Sequence, residues 1–112
     1  MGNIDNYQKI IETIFIEYTK IPYAYGEIHT EAVFDRTNNR YLLINVGWED
    51  DGRRVHGCLI HIDIINDKLW IQRDGTEHGI AKELTKFGVP KESIVLAFQP
   101  LEIRQYTEYA AA

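Results

Sequence analysis

His61 and Asp63, two residues apart in an apolar strand-like segment, are the pair in this chain best suited to chemistry. Side chains at i and i+2 of a strand share a face, so the carboxylate can orient the imidazole for acid–base work or join it as a metal ligand. His29, in a neighbouring strand pattern, is the residue that would extend the pair across a sheet. Two-residue spacing is common in strands, however, and no second carboxylate–histidine pair accompanies it. His56 and His78 complete no ligand pattern. The pair reads first as a hydrogen-bonded structural histidine, with a small enzyme using His61 and Asp63 as the minor alternative; neither metal nor cofactor is implied.

Other reactive-looking features resolve into ordinary roles. Asp74-Gly75-Thr76-Glu77-His78-Gly79 resembles a phosphate loop opening a helix, but it lacks a Gly-Lys-Ser/Thr ending, and Glu77 would repel an anion. It reads as a turn followed by a helix cap at Thr76. Cys58 is the sole cysteine and lies in an apolar pattern, so it reads as packing in a reducing compartment. No nucleophile elbow, Walker loop or Cys-x-x-Cys is present. Arg36 and Arg40 flank one hairpin, while Arg53 and Arg54 close the next, giving the cations that a direct DNA-binding factor would use. Successive hairpins of a meander lie at opposite ends of a sheet, and Asp50 and Asp51 adjoin the second pair. With 17 acidic against 12 basic residues, a formal charge of −5 further opposes attraction to a polyanion.

The elements that position these groups follow from periodicity. Residues 5–20 carry Tyr7, Ile10, Ile11, Ile14, Phe15 and Tyr18 at helical spacing, with Asp5 and Gln8 as a capping box and Pro22 as the stop. The aromatic linker 21–26 is expected to pack onto the domain. Strand-like segments 27–35, 40–48, 54–65 and 68–74 follow at short intervals, which indicates an antiparallel meander. Ile80, Ala81, Leu84 and Phe87 form the stripe of a second helix ended by Gly88 and Pro90. Pro90 to Ser93 begin a further helical turn, the apolar run 94–98 is undecided by periodicity, and the tail around Tyr106 and Tyr109 is aromatic enough to dock. The fold expected is α+β: an N-terminal helix, a four-stranded antiparallel β-meander, a second helix packed on the sheet, a short C-terminal helical turn and an aromatic tail.

Strand alternation assigns Ile28, Ala32 and Phe34, then Leu42, Ile44, Val46 and Trp48, then Cys58, Ile60, Ile62 and Ile64, to the core face. Tyr41, Leu43, Leu59, His61, Trp70 and Gln72 fall on the opposite face. That face is half apolar, so it calls for a cover: the linker or C-terminal segment, a partner protein or a second copy. With Tyr106 and Tyr109, these residues form the candidate interaction surface.

One domain over residues 1–112 is the expectation for 112 residues, 45% of them hydrophobic, which suffices for a core without disulfides or metal. The N-terminus lacks the pattern of a secretory signal and no segment is apolar enough to span a bilayer, so a cytoplasmic protein without membrane attachment is expected.

The strings Ile21-Pro22-Tyr23-Ala24-Tyr25-Gly26-Glu27, Val46-Gly47-Trp48, Gly57-Cys58-Leu59-Ile60-His61-Ile62-Asp63, Trp70-Ile71-Gln72-Arg73-Asp74-Gly75-Thr76-Glu77, Gly88-Val89-Pro90-Lys91 and Thr107-Glu108-Tyr109-Ala110 occur in this order. In these the chain resembles the XisI family over nearly its whole length. Members of that family are controlling factors for excision of the fdxN DNA element in cyanobacterial heterocyst development, acting with XisH and a site-specific recombinase, XisF. The resemblance implies an accessory, non-enzymatic regulatory protein in programmed DNA rearrangement that binds an XisH-like partner. It supplies no catalytic residue, and a homodimer is a further expectation.

Overall fold

The computed structural model describes residues 3–23 and 26–112. Helix α1 spans Asn3–Thr19 and buries Tyr7, Ile10, Ile11, Ile14 and Phe15, the stripe that its 3.6-residue period dictates. Because α1 begins at Asn3, Asp5 lies in its first turn and no Asp5–Gln8 capping box forms. The Gln8 amide instead reaches Asn39 Oδ1 at 2.7 Å, tying the helix to the first hairpin. Ala24 and Tyr25 of the linker lie outside the described residues. On either side of them, Ile21 and Tyr23 are exposed, which is looser packing than the aromatic composition suggests.

Strands β1 (Glu27–Asp35), β2 (Arg40–Trp48), β3 (Arg54–Ile65) and β4 (Lys68–Asp74) form the expected antiparallel meander. Asn66 and Asp67 both take positive φ, the requirement of a two-residue hairpin turn whose twist matches its strands. A fifth strand, β5 (Ile94–Leu96), then pairs parallel to β4, so the sheet is five-stranded and mixed in the order β1-β2-β3-β4-β5. The crossover is long enough because it contains helix α2 (Ile80–Lys86) and a 3₁₀ turn at Lys91–Ser93. A last helical turn, α3 (Leu101–Arg104), leads to the tail, where the Ala110 N–H donates to the Ile94 carbonyl at 2.9 Å.

Helix α2 starts three residues later than a Thr76 cap requires. Asp74, at the end of β4, supplies the cap: its Oδ2 accepts the Ile80 N–H at 2.8 Å, and its Oδ1 accepts the Thr76 N–H at 2.9 Å. The helix ends at Gly88, with φ 103, where the Gly88 and Val89 N–H groups donate back to Thr85 and Leu84. Buried Val89 and Leu84 seal this stop. Phe87, assigned to the apolar stripe, is exposed instead.

The core lies between the sheet and the two longer helices. Phe15 and Ile11 of α1 and Ile80 and Leu84 of α2 join Tyr41, Leu43, Ile60, Ile62, Leu69 and Ile71 in one cluster, all fully buried. Tyr41 and Leu43 therefore face the core, and the phase expected for β2 is inverted. Leu42, Ile44, Val46 and Trp48 point away from the helices. A bulge explains why β3 then mixes phases: Leu43 pairs with Ile60 but Ile44 pairs with Cys58, leaving Leu59 as the extra residue. Leu59 packs against the core, and Cys58 turns to the outer face.

Candidate functional site

The outer face of the sheet is ordered in rows set by the strand register. Glu27, Trp48 and Arg54 form one row, followed by His29, Val46 and His56, then Glu31, Ile44 and Cys58, then Val33, Leu42 and His61. The middle column is apolar throughout. Trp48 is 51% exposed and Val33 43%, while Leu42, Ile44 and Val46 are partly exposed. Among the described residues neither α1 nor α2 covers this column, since both lie against the core face.

His61 Nε2 lies 2.8 Å from Asp63 Oδ1, and the Gln72 amide donates to Asp63 Oδ2 at 3.3 Å. Gln72 reaches Asp63 because it is the extra residue of a second bulge, where His61 pairs with Arg73 and Ile62 with Ile71. The carboxylate thus holds the imidazole in place and is itself held from β4. His29 does not converge on this pair. It lies two rows away and binds Glu31 at 2.7 Å instead. Among the described residues no three His, Cys, Asp or Glu side chains come together as metal ligands would. Burial pushes the Cys58 thiol up, against the opposing charge of Arg73, which disfavours a reactive thiolate.

The C-terminal segment covers only the β4–β5 margin of the outer face. The Arg104 guanidinium lies 5.7 Å from the centroid of Trp70, and its Nε and Nη1 donate to the carbonyls of Gln99 and Ala111. Val95, paired with Trp70, is fully buried, and the Trp70 Nε1–H is buried with no acceptor among the described residues. Tyr109 packs on the core, but Tyr106 is 85% exposed. Phe98, Leu101 and Ile103 are also exposed, so this covering segment carries large apolar side chains of its own into solvent.

The candidate interaction residues therefore separate. Tyr41 and Leu43 lie inside the core, Leu59 and Tyr109 pack against it, and His61, Trp70 and Gln72 remain on the outer face with Tyr106 at its margin. Leu42, Ile44, Val46 and Trp48 belong to that face too. In sequence their alternation was plain, but both alternating sets of β2 are apolar, so alternation alone could not choose between them.

The four arginines do not make a basic patch. Arg36 binds Glu12 through two bonds of 2.7 and 2.6 Å, and Arg53 lies 3.0 Å from Glu49 and 2.9 Å from Asp51. Arg54 sits over Trp48 and donates to the Gly47 carbonyl. Arg40 is exposed at the opposite hairpin. A 370 Å³ cleft lies elsewhere, lined by Tyr18, Pro22, Thr30, Thr76 and His78 among others. No described helix is long and apolar enough to cross a membrane.

Residues 1–111 match the model of the XisI protein family. A XisI-like protein from Anabaena variabilis ATCC 29413 is 34% identical in sequence, with a TM-score of 0.84 over 97% of this chain and 99% of that one. The fdxN element excision controlling factor XisI from the same organism is 29% identical, with a TM-score of 0.78 over 99% of this chain and 100% of that one. Comparison with curated proteins gives no match.

Proposed function

The chain belongs to the XisI family, and from that premise we propose that it is a cytoplasmic, non-enzymatic controlling factor for excision of a DNA element. It works by binding protein, and its partner is an XisH-like protein. The recombination chemistry resides in a recombinase. Support for an excision role comes from the family and from the structural similarity to a protein named as an excision controlling factor.

The observation that carries protein binding is the exposed apolar segment at the C-terminal margin. Phe98, Leu101, Ile103 and Tyr106 all stand in solvent within one short stretch. Exposed aromatic and aliphatic side chains beside an arginine are the residue types enriched at interface centres. Arg104 fixes the segment against Trp70, so its ordering is largely complete before a partner arrives, which lowers the entropic cost of binding.

Co-purification with the cognate XisH-like protein tests the proposal. The wild-type chain is expected to form a complex at micromolar concentration, and Leu101→Asp with Tyr106→Ala to weaken it at least about tenfold, since buried aromatic and leucine anchors carry much of such affinities. No complex with the wild-type chain would overturn the partner; equal binding by the folded variant would overturn the surface.

A further inference from the structure

The cleft between the end of α1 and the β4–α2 turn is separate from the C-terminal surface, and the polarity of its lining selects an occupant. Among its lining residues, Tyr18, Thr30 and Thr76 each spend the hydroxyl hydrogen on an acceptor of the protein. Tyr18 donates to Glu83 Oε1 at 3.2 Å, Thr30 to Asn45 Oδ1 at 2.9 Å and Thr76 to Asp74 Oδ1. Lone pairs are what these groups have left to offer. Thr30 is only 7% exposed, so its oxygen is fixed rather than free to turn. Nearby backbone donors are taken as well: the Thr76 and Ile80 N–H groups by Asp74, and the Gly79 N–H by Thr76 Oγ1. An anion would find none of these donors free.

We infer that the cleft binds the guanidinium of an arginine carried on a short segment of a partner protein. A guanidinium presents donors and no acceptor, the complement of this lining. Glu77 adds an exposed carboxylate, and no lysine or arginine is among the described lining residues. Burial first, then the charges of Glu83 and Asp74, push the Tyr18 pKa up to about 12, with no cation acting in the opposite sense. The field at that hydroxyl is therefore negative. Tyr18 and Tyr23 also bring aromatic rings, on which a guanidinium stacks, and Ile21, Pro22 and Leu59 supply apolar cover for its stem. Tyr23 and His78, both exposed, can turn acceptor atoms to it.

A protein segment is the occupant, rather than a free small cation, because the cleft is one half of a trough. At 370 Å³ it is near the lower end for a ligand pocket. Beyond Tyr18, Ile21 and His78, which line both halves, a second hollow of 540 Å³ is walled by Ile14 and Phe87 among others. Phe87 is 51% exposed and Ile21 58%, although both are large and apolar. Lys86 lines the second hollow only, which keeps the arginine in the first and leaves the second for an apolar neighbour of it. None of Phe98, Leu101, Ile103 and Tyr106 lines either half, so this site and the surface proposed for the XisH-like partner stand or fall separately.

Amide NMR of the isotope-labelled chain tests this. The probe is the peptide acetyl-Ser-Leu-Arg-Leu-Ser-amide, titrated at about pH 7.5, where an ordinary imidazole is mostly neutral. It is expected to bind with a dissociation constant of about 1 mM or below and to shift the amides of Tyr18 and of Thr76 to Ile80. Citrulline in place of the arginine keeps the shape, removes the charge and sets an acceptor oxygen among acceptors, so it should weaken binding at least about fivefold. Nα-acetylarginine amide leaves the second hollow empty and should bind at least about threefold more weakly than the peptide. Glu77→Lys should weaken peptide binding at least about fivefold. Absence of shifts at these amides up to about 5 mM would overturn the site, as would equal binding of the citrulline peptide or equal binding by folded Glu77→Lys. Arginine amide binding as tightly as the peptide would overturn the segment and assign a small free cation.

Discussion

Leu43 and Ile60 stand opposite each other on β2 and β3, both fully buried, yet the next residue of β2, Ile44, pairs with Cys58 on the outer face. The skipped residue, Leu59, is held by β4: its carbonyl accepts the Gly75 N–H at 2.7 Å, and Arg73 Nε donates to the Cys58 carbonyl at 2.9 Å. This bulge turns Leu59 inward and Cys58 outward in one step.

Neighbouring leucines report the phase of β2. Leu43→Ala removes a fully buried side chain and should lower stability by about 3 kcal/mol, the cost of lost burial plus a cavity. Leu42→Ala, on the partly exposed face, should cost less than about 1 kcal/mol. Urea unfolding measures both. Equal losses, or a larger loss at Leu42, would contradict the observed phase.

This is also the point at which the sequence was least legible. The turns at Asn66 and Asp67, the stripe of α1, the inward set of β1 and the Gly88 stop all follow from local patterns, because each is decided by residues close in the chain. The stretch Tyr41-Leu42-Leu43-Ile44 has no polar member to mark a side. Its phase is set by long-range contacts: Phe34 against Tyr41 at 5.8 Å between ring centroids, and Thr30 Oγ1 donating to Asn45 Oδ1 at 2.9 Å. Strand β5 was hidden for a related reason. Three residues cannot show a period, and their pairing with β4 depends on where α2 returns the chain. The sides of the sheet taken by His61, Trp70 and Gln72 were legible because residues 60–64 and 69–72 alternate apolar and polar or aromatic in the sequence. Cys58 and Leu59 were not, because their bulge is held by Gly75 and Arg73 rather than by any local signal.

Asp74 is predicted to be the main determinant of the α2 start. Its carboxylate satisfies the Ile80 and Thr76 N–H groups, donors that the helix and turn leave otherwise unpaired. Asp74→Ala should cost about 2 kcal/mol, while Asp74→Asn, which keeps one acceptor oxygen, should recover about half of that. Amide exchange at Ile80 and Ala81 would locate the effect. Unchanged protection there in the alanine variant would show that another group caps α2.

Tyr18 links α1 to α2 through a hydrogen bond from its hydroxyl to Glu83 Oε1 at 3.2 Å, and its pKa is pushed up to about 12 by burial and then by the Glu83 charge. A raised tyrosine pKa means that stability is fully present below pH 10 and is lost as pH climbs toward 12, since the unfolded chain ionises first. Tyr18 is only part-buried, so screening by solvent limits this loss to about 1 kcal/mol. Tyr18→Phe should be less stable than wild type by about 0.5–1 kcal/mol at pH 8. It should also lack this tyrosine's share of the alkaline slope, so the gap closes by about pH 12. Tyr41 and Tyr109, also shifted up by burial, contribute equally to both proteins. A gap that stays constant across this range would refute the linkage.

Gly47 is where the outer face depends most sharply on one backbone position. Its φ of 153 lies where side chains other than glycine are rare, and a Cβ there would stand 1.9 Å from the Glu27 carbonyl oxygen and 2.7 Å from the Ile28 Cα. Both obstacles are backbone, so no rotamer change relieves them. Since Gly47 precedes Trp48 and pairs with Ile28 and Val55, pushing β1 away would also separate Glu27 from the Trp48–Arg54 row. Gly47→Ala should therefore lower stability by at least about 3 kcal/mol. Gly52→Ala, in the β2–β3 hairpin with φ 88 but open space around its Cβ, should cost only about 1 kcal/mol. Thermal melts of the two variants separate close packing from backbone preference, and similar losses in both would mean that the approach of β1 to β2 at Gly47 is not the constraint.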